Sequence, residues 1–256
     1  MNESLIIYRK EMGIATVILN NLPLNLLNQK VVQQLSNLAD ELHTDDSIHA
    51  VILTGAGEKA FMAGADIKEF PEWIGKGEAF AEQKGLELQD AFHKFYRLPK
   101  PTIAALNGLA LGGGCELALA CDLRIMEQHA IIGLPEIKLG LFPGAGGTQR
   151  LPRLIGETKA KQMMFLGDSL TANEALHVGL VNEVVPKGNS LNRANAIAQR
   201  LTSYSLPALS YMKKSIQQGL QVSLETGLSI EAQHFGKVFQ TEEIKTGVQH
   251  FIEKHS

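Results

Sequence analysis

From position 28 onward the apolar residues Val31, Val32, Leu35, Leu38, Ala39 and Leu42 recur at three- and four-residue intervals between polar ones. That spacing lays one apolar stripe along a helix, and Asn28 stands where an N-cap belongs. Upstream, residues 5–8 and 15–19 are short and rich in β-formers, and Met12-Gly13 between them predicts an antiparallel turn. Further strands are expected at 50–53, cut off by Thr-Gly-Ala-Gly, at 102–106, which also ends in a glycine turn, and at 123–126. Residues 66–97 are polar and helical in pattern, broken by Pro71, Gly75 and Gly77, and mark where a lid would lie. Strands alternating with helices define an α/β fold. Past Pro186-Lys187-Gly188-Asn189 the pattern is helical alone, over 192–202, 207–218, 224–239 and 241–253. The expected division is an α/β core over 1–190 that carries the site and a helical region over 191–256. The second either covers its own domain or packs against another subunit, and its Leu, Ile, Val and Phe content is high enough for the latter. No internal repeat and no low-complexity segment is visible.

Composition narrows the function classes. A chain of 256 residues, 45% hydrophobic, can bury a sizeable core. The net charge of -3 excludes a general binder of nucleic acid or of anionic membranes, although a local basic spot for a phosphorylated ligand stays open. No stretch approaches the roughly 20 apolar residues of a membrane span, and the N-terminus has neither a basic start nor a long apolar run. Only Cys115 and Cys121 occur, each read as a small buried apolar residue, so a reducing cytoplasm is the expected location. No His-Glu-x-x-His or dense His/Asp/Glu cluster suggests a metal, and His129 reads as a surface turn residue. There is no Gly-x-Ser-x-Gly elbow for a nucleophilic serine. The run Pro143-Gly144-Ala145-Gly146-Gly147-Thr148 lacks both the ending of a P-loop and the spacing of a dinucleotide fingerprint.

What remains is a pair of glutamates set in glycine- and proline-rich sequence. Glu116 closes Leu-Gly-Gly-Gly-Cys-Glu, and Glu136 sits in Leu-Pro-Glu-Ile. Each has a bland reading, the first as a carboxylate on a helix's first turn and the second as a solvated loop residue. Two glycine segments change the balance. Backbone amides near Ala65, between a strand turn and a polar helix, and those of Gly112-Gly113-Gly114, ahead of a helical run at 116–120, are candidate free donors. Facing one another they would form an oxyanion hole, while the two carboxylates share a water. A triple glycine taken alone reads equally as a tight packing turn.

Taken in order, Ala-Gly-Ala-Asp-Ile-Lys, Gly-Leu-Ala-Leu-Gly-Gly-Gly-Cys-Glu-Leu-Ala and Pro-Glu-Ile-Lys-Leu-Gly-Leu-Phe-Pro-Gly-Ala-Gly-Gly-Thr-Gln-Arg-Leu closely resemble the enoyl-CoA hydratase (crotonase) family. The resemblance runs to Phe251-Ile252-Glu253-Lys254 near the end of the chain. It implies a spiral of β-β-α turns followed by a helical trimerisation region, and commonly a hexamer built as a dimer of trimers. It assigns oxyanion-hole amides to Ala65 and Gly113 and catalytic carboxylates to Glu116 and Glu136. Coenzyme A contacts fall to Ala63, Asp66, Ile67 and Lys68, with Phe251 and Lys254 reaching a neighbouring subunit's ligand. The implied reaction is syn hydration of a 2-trans-enoyl-CoA, with coenzyme A as part of the substrate and no separate cofactor. Another crotonase-type acyl-CoA reaction, such as isomerisation or hydration of a branched enoyl-CoA, and a non-catalytic acyl-CoA binder are the alternatives. One departure stands out, since the segment Asn21-Leu22-Pro23-Leu24-Asn25-Leu26-Leu27 lacks the arginine of the commoner family pattern.

Overall fold

The computed structural model describes residues 4–255. It opens with an antiparallel hairpin of β1 (Ile6–Glu11) and β2 (Ile14–Leu19), followed by α1 (Gln29–Thr44). Asn28 caps α1, its side chain accepting from the Val31 amide, and the six residues of the apolar stripe are all buried.

Thereafter the chain repeats one topological unit. A strand enters the larger sheet, a short strand enters a smaller sheet, and a helix returns: β3 (Ala50–Gly55), β4 (Ala60–Met62) and α2 (Glu78–Arg97); β5 (Thr102–Leu106), β6 (Leu109–Leu111) and α3 (Gly113–Ala120); β7 (Leu123–Glu127), β8 (Ile131–Gly133) and α4 (Gly147–Ile155). Short 3-10 turns, Ile67–Glu72 and Glu136–Leu139, lie between strand and helix in the first and third units. Successive units pair in parallel, β3 with β5 and β5 with β7 in one sheet, β4 with β6 and β6 with β8 in the other. This is the expected α/β spiral of β-β-α turns. It shows no sequence repeat because only the topology recurs: α2 has 20 residues and α3 has 8.

The chain continues through α5 (Glu157–Leu166), β9 (Ser169–Thr171), α6 (Ala172–His177) and β10 (Glu183–Val185), where β9 completes the four-stranded sheet and β10 the six-stranded one. The middle strands β3 and β5 of the larger sheet are buried on both faces, successive residues pointing to opposite sides. Val51, Leu53, Ala104 and Leu106 face the main core, while Ala50, Ile52, Ile103 and Ala105 face a second layer containing Ala194 and Ala198. Those two alanines belong to α7 (Ser190–Thr202). The sheet's second cover therefore comes from α7, which begins at Ser190.

The remaining helices are α8 (Leu206–Gly219), α9 (Leu224–Val238) and α10 (Glu242–His255). Helices α8 and α9 pack on each other, and Lys213 of α8 ties the pair to the core, its Nζ 2.7 Å from Asp122 Oδ2 and 3.2 Å from the Lys100 carbonyl. Among the described residues no helix is long and apolar enough to cross a membrane.

Candidate active site

The local structure of residues 20–27 fixes the first glycine loop. Asn25, buried with a positive φ of 53°, donates its side-chain amide to the Ala56 and Ala60 carbonyls at 3.0 and 2.8 Å. Leu27 then runs alongside Ala65: its N–H donates to the Gly64 carbonyl at 2.9 Å, and its carbonyl accepts from Asp66 at 2.8 Å. The Gly64 carbonyl and the Asp66 N–H, which flank Ala65, are thereby occupied, while the Ala65 N–H donates to no protein acceptor among the described residues. The segment that departs from the commoner family pattern thus holds this loop through the Asn25 side chain and the Leu27 backbone together.

The second loop is built by the start of α3. The Gly112 N–H is occupied by the Gly133 carbonyl at 2.9 Å, and the Gly113 amide, first in the helix, has no acceptor among the described residues. Gly112 has φ +52°, a conformation that glycine adopts without strain, and a Cβ there would stand 3.6 Å from Gly64 Cα and 3.2 Å from Glu136 Oε1. Gly114 has no room for a side chain either, because its Cβ would collide with the Met62 carbonyl. Close approach of two backbones, rather than turn formation alone, is what the triple glycine provides.

Glu116 is the one charged residue of α3, a helix buried along its whole length, and is only 3% exposed. Its Oε1 accepts two backbone N–H bonds, from Ala145 and from Gly147, each 2.8 Å long. Those donors come from the glycine-rich run 143–148, so that run serves to bind a buried carboxylate and not a phosphate. Burial pushes the Glu116 carboxyl above its ordinary proton affinity, while the two amides and the Arg150 guanidinium oppose the shift.

Glu136 begins the 3-10 turn Glu136–Leu139, which ends on Gly140 in the left-handed conformation. It is half-buried, and its Oε2 is out of solvent with no hydrogen-bond partner among the described residues. Burial, and secondarily the charge of Glu116, push its carboxyl up to about 7. The two glutamates therefore sit in unlike settings. One is held by donors that favour its anion, and the other has a buried oxygen that no donor among the described residues holds.

Both glutamates, Ala65 and Gly113 line one cleft of about 2380 Å³. Its walls bring together Ala63 and Ile67, aromatic residues Phe70 and Trp73, and Leu141 and Phe142 from the far side. Asp66 and Lys68 do not line it, and Asp66 caps the 3-10 turn Ile67–Glu72 by accepting from the Lys68 amide at 3.1 Å. Phe251 and Lys254 are on α10 and outside the cleft. Cys115 and Cys121 are buried free thiols, and His129 stands in a partly exposed turn. Among the described residues no three His, Cys, Asp or Glu side chains come together to hold a metal ion. Sequence reasoning missed Arg150, which lines the cleft and faces Glu116 from α4. The available signal was its place in the same glycine-rich segment whose amides reach Glu116.

The sequence pattern of the family described as Enoyl-CoA hydratase/isomerase matches residues 9–256. The short-chain-enoyl-CoA hydratase of Clostridium acetobutylicum is 43% identical over 251 residues, covering 97% of this chain and 95% of that protein. The crotonyl-CoA hydratase of Syntrophomonas wolfei is 40% identical over 250 residues, with the same coverage of 97% and 95%. Among solved structures, an enoyl-CoA hydratase from Bacillus anthracis superimposes with a TM-score of 0.93 at 40% identity, over 98% of this chain and 97% of that one.

Proposed function

The chain belongs to the enoyl-CoA hydratase/isomerase family, and from that premise we propose how its cleft carries out the hydration of an enoyl-CoA thioester. The protein is an enoyl-CoA hydratase, a hydro-lyase acting on acyl-CoA substrates. The thioester carbonyl oxygen sits between the amides of Ala65 and Gly113, which stabilise the negative charge that grows there as the conjugated double bond is attacked. Glu116 takes a proton from water as its oxygen bonds to Cβ, and Glu136 delivers its proton to Cα on the same face. One C–O and one C–H bond form, the carbon–carbon double bond becomes single, and the proton lost by Glu136 is balanced by the one gained by Glu116. In the dehydration direction the roles reverse.

The observation that carries this reading is the unlike setting of the two carboxylates. Burial raises the proton affinity of Glu116, and the two amide donors on Oε1 and the Arg150 cation oppose that rise, favouring the anion a base must be. Glu136, raised to about 7, keeps a proton available near neutral pH. The mechanism needs no cofactor beyond the coenzyme A carried by the substrate.

Other parts of the reading rest on narrower support. Ala63, Asp66, Ile67 and Lys68 take the coenzyme A moiety, supported by their adjacency to the Ala65 amide. Assembly into a trimer or dimer of trimers is supported by exposed Leu220, Leu224, Phe235 and Phe239 on and beside α8 and α9. In such an assembly α10 would carry Phe251 and Lys254 to a neighbouring copy's ligand. A cytoplasmic setting is supported by the two free buried thiols.

The test is loss of the conjugated-thioester absorbance of crotonyl-CoA, with Glu116→Gln and Glu136→Gln run beside the wild type. Rapid loss abolished by either change is expected, and near wild-type turnover in both folded variants would sink the mechanism.

A further inference from the structure

The glycine-rich run gives two amides to Glu116, and Arg150, three residues after the second donor, folds back over that loop. Its Nη1 donates to the Ala145 carbonyl at 3.0 Å. The guanidinium fills the space where a Gly146 side chain would be, at a residue whose φ is +111°. On its other side Arg150 meets α2: Nη2 lies 3.5 Å from His93 Nδ1, and the guanidinium carbon is 5.5 Å from the centre of the Tyr96 ring. His93 and Tyr96 are themselves stacked, with ring centres 5.6 Å apart.

We propose that Arg150 is a positioning residue for the hydration, bracing the 145–147 loop against α2 so that both of its amides face Glu116 and a fixed cation stands beside that carboxylate. The inference rests on the assignment of Glu116 as the base. The Ala145 carbonyl belongs to the peptide between the two donating ones, so a guanidinium bound there limits rotation of both donors. A second side chain acts on the same loop, because Gln89 of α2 donates to the Gly144 carbonyl at 2.9 Å, and that peptide's own N–H is the one donated by Ala145. Donors on the carbonyl end of a peptide polarise its N–H end and strengthen the bond to Glu116.

The charges around Glu116 leave this role to Arg150. Glu136 faces it from the 3-10 turn and opposes ionisation of the pair, Cys115 is its uncharged neighbour, and Arg124 binds the carbonyls at the opposite end of α3. From α2, burial together with Arg97 and Arg150 lowers the proton affinity of His93, leaving a neutral ring whose Nδ1 accepts from the guanidinium. Burial raises Tyr96, which is uncharged at neutral pH. Arg150 is the cation that lowers the proton affinity of Glu116, and Glu116 is the first among the charges that hold Arg150 protonated.

The experiment measures kcat and KM for crotonyl-CoA from pH 5 to 9 in wild type, Arg150→Met and Arg150→Lys, with folding checked by circular dichroism. Arg150→Met is expected to lower kcat on the order of tenfold or more, to leave KM within about twofold, and to move the acidic limb to higher pH. The direction follows because a carboxylate that loses a neighbouring cation binds its proton more tightly. Arg150→Lys is expected to restore the limb while recovering only part of kcat, since a single ammonium cannot bind Ala145 and His93 together. A raised KM at unchanged kcat would make Arg150 a substrate-binding residue and overturn the proposal, as would an unchanged kcat and limb. If Arg150→Met does not fold, His93→Leu removes the brace from the α2 side, and wild-type kcat and limb there would also overturn it. An inactive wild type would instead defeat the hydratase mechanism itself.

Discussion

Gly147 donates its N–H to Glu116 Oε1 across 2.8 Å, and a Cβ at the same residue would stand 3.0 Å from that oxygen and 2.8 Å from Pro143 Cβ. The glycine thus supplies the donor and leaves room for its acceptor. Gly147→Ala is expected to push the carboxylate off its two amides while α4 still forms, because alanine favours helix. Turnover of crotonyl-CoA should fall roughly 10- to 100-fold with an unchanged circular dichroism spectrum. Wild-type turnover would show that this hold on Glu116 does not matter to the reaction.

The pH profile should report the carboxylate pair. The working state carries one proton on the two glutamates together, so kcat/KM should follow a bell, with the singly protonated pair active. Glu136, at about 7, sets the basic limb: as pH rises through that value the second proton is lost and hydration slows. A rate that stays flat from pH 6 to 9, with chemistry limiting, would remove Glu136 as the proton donor.

The same displacement has a consequence for stability, with the sign fixed by linkage. The folded protein holds the Glu136 proton up to about 7, whereas the ordinary value is 4.5, so between those limits the folded state binds more protons than the unfolded one. This contribution is fully present below about 4.5 and is lost as pH rises through about 7. Glu136→Gln, which stays neutral, should therefore lose less thermal stability than wild type between pH 5 and 8.5. Parallel melting curves in buffers of constant ionic strength read this directly, and identical slopes would contradict it.

Much of the scaffold is readable from spacing alone, and the reasons are local. The stripe from Val31 to Leu42 and the cap at Asn28 depend on residues within four positions of each other. The strands β4, β6, β8, β9 and β10, each of three residues, are not readable, because three residues cannot display a two-residue period and their pairing is set by the spiral. At the site, the glycine runs and both glutamates stand out by composition. The partner of Glu116 does not, since nothing in Pro143–Thr148 says which way its amides point. A glycine-rich run is a source of free N–H groups for any anion, and here the anion is a side chain of the same protein.

The attachment of the helical region to the core offers a stability test away from the cleft. Asp122 accepts from the Thr102 amide at 2.8 Å, from the Thr102 hydroxyl at 2.9 Å and from Lys213 at 2.7 Å, with the lysine side chain 9% exposed. Asp122→Ala leaves the Thr102 amide and hydroxyl without this acceptor and Lys213 with the Lys100 carbonyl alone, and should cost about 2–4 kcal/mol, whereas Lys213→Met removes one donor and should cost about 1–2 kcal/mol. Urea unfolding of both variants and the double variant measures their coupling. Simple additivity would mean that α8 is not tied to the core through this pair.

The oxyanion hole can be separated from its surroundings at Gly113, because this residue is the first of α3 and its N–H has no acceptor within the helix. Proline is tolerated at that position: it lacks only the hydrogen the helix does not use, and its φ suits the first turn. A side chain there meets the flexible end of Leu27, whose Cδ2 would lie 2.9 Å from the new Cβ, so sterics need their own control. Gly113→Ala supplies it, adding the Cβ while keeping the N–H. Gly113→Ala should lower kcat/KM several-fold, and Gly113→Pro should lower it by a further factor on the order of 10²–10³, the usual effect of losing one donor of this kind. Both should melt within a few degrees of wild type. Equal activity in the two variants would mean that the Gly113 amide does not reach the thioester oxygen, and that Ala65 must act with a different partner.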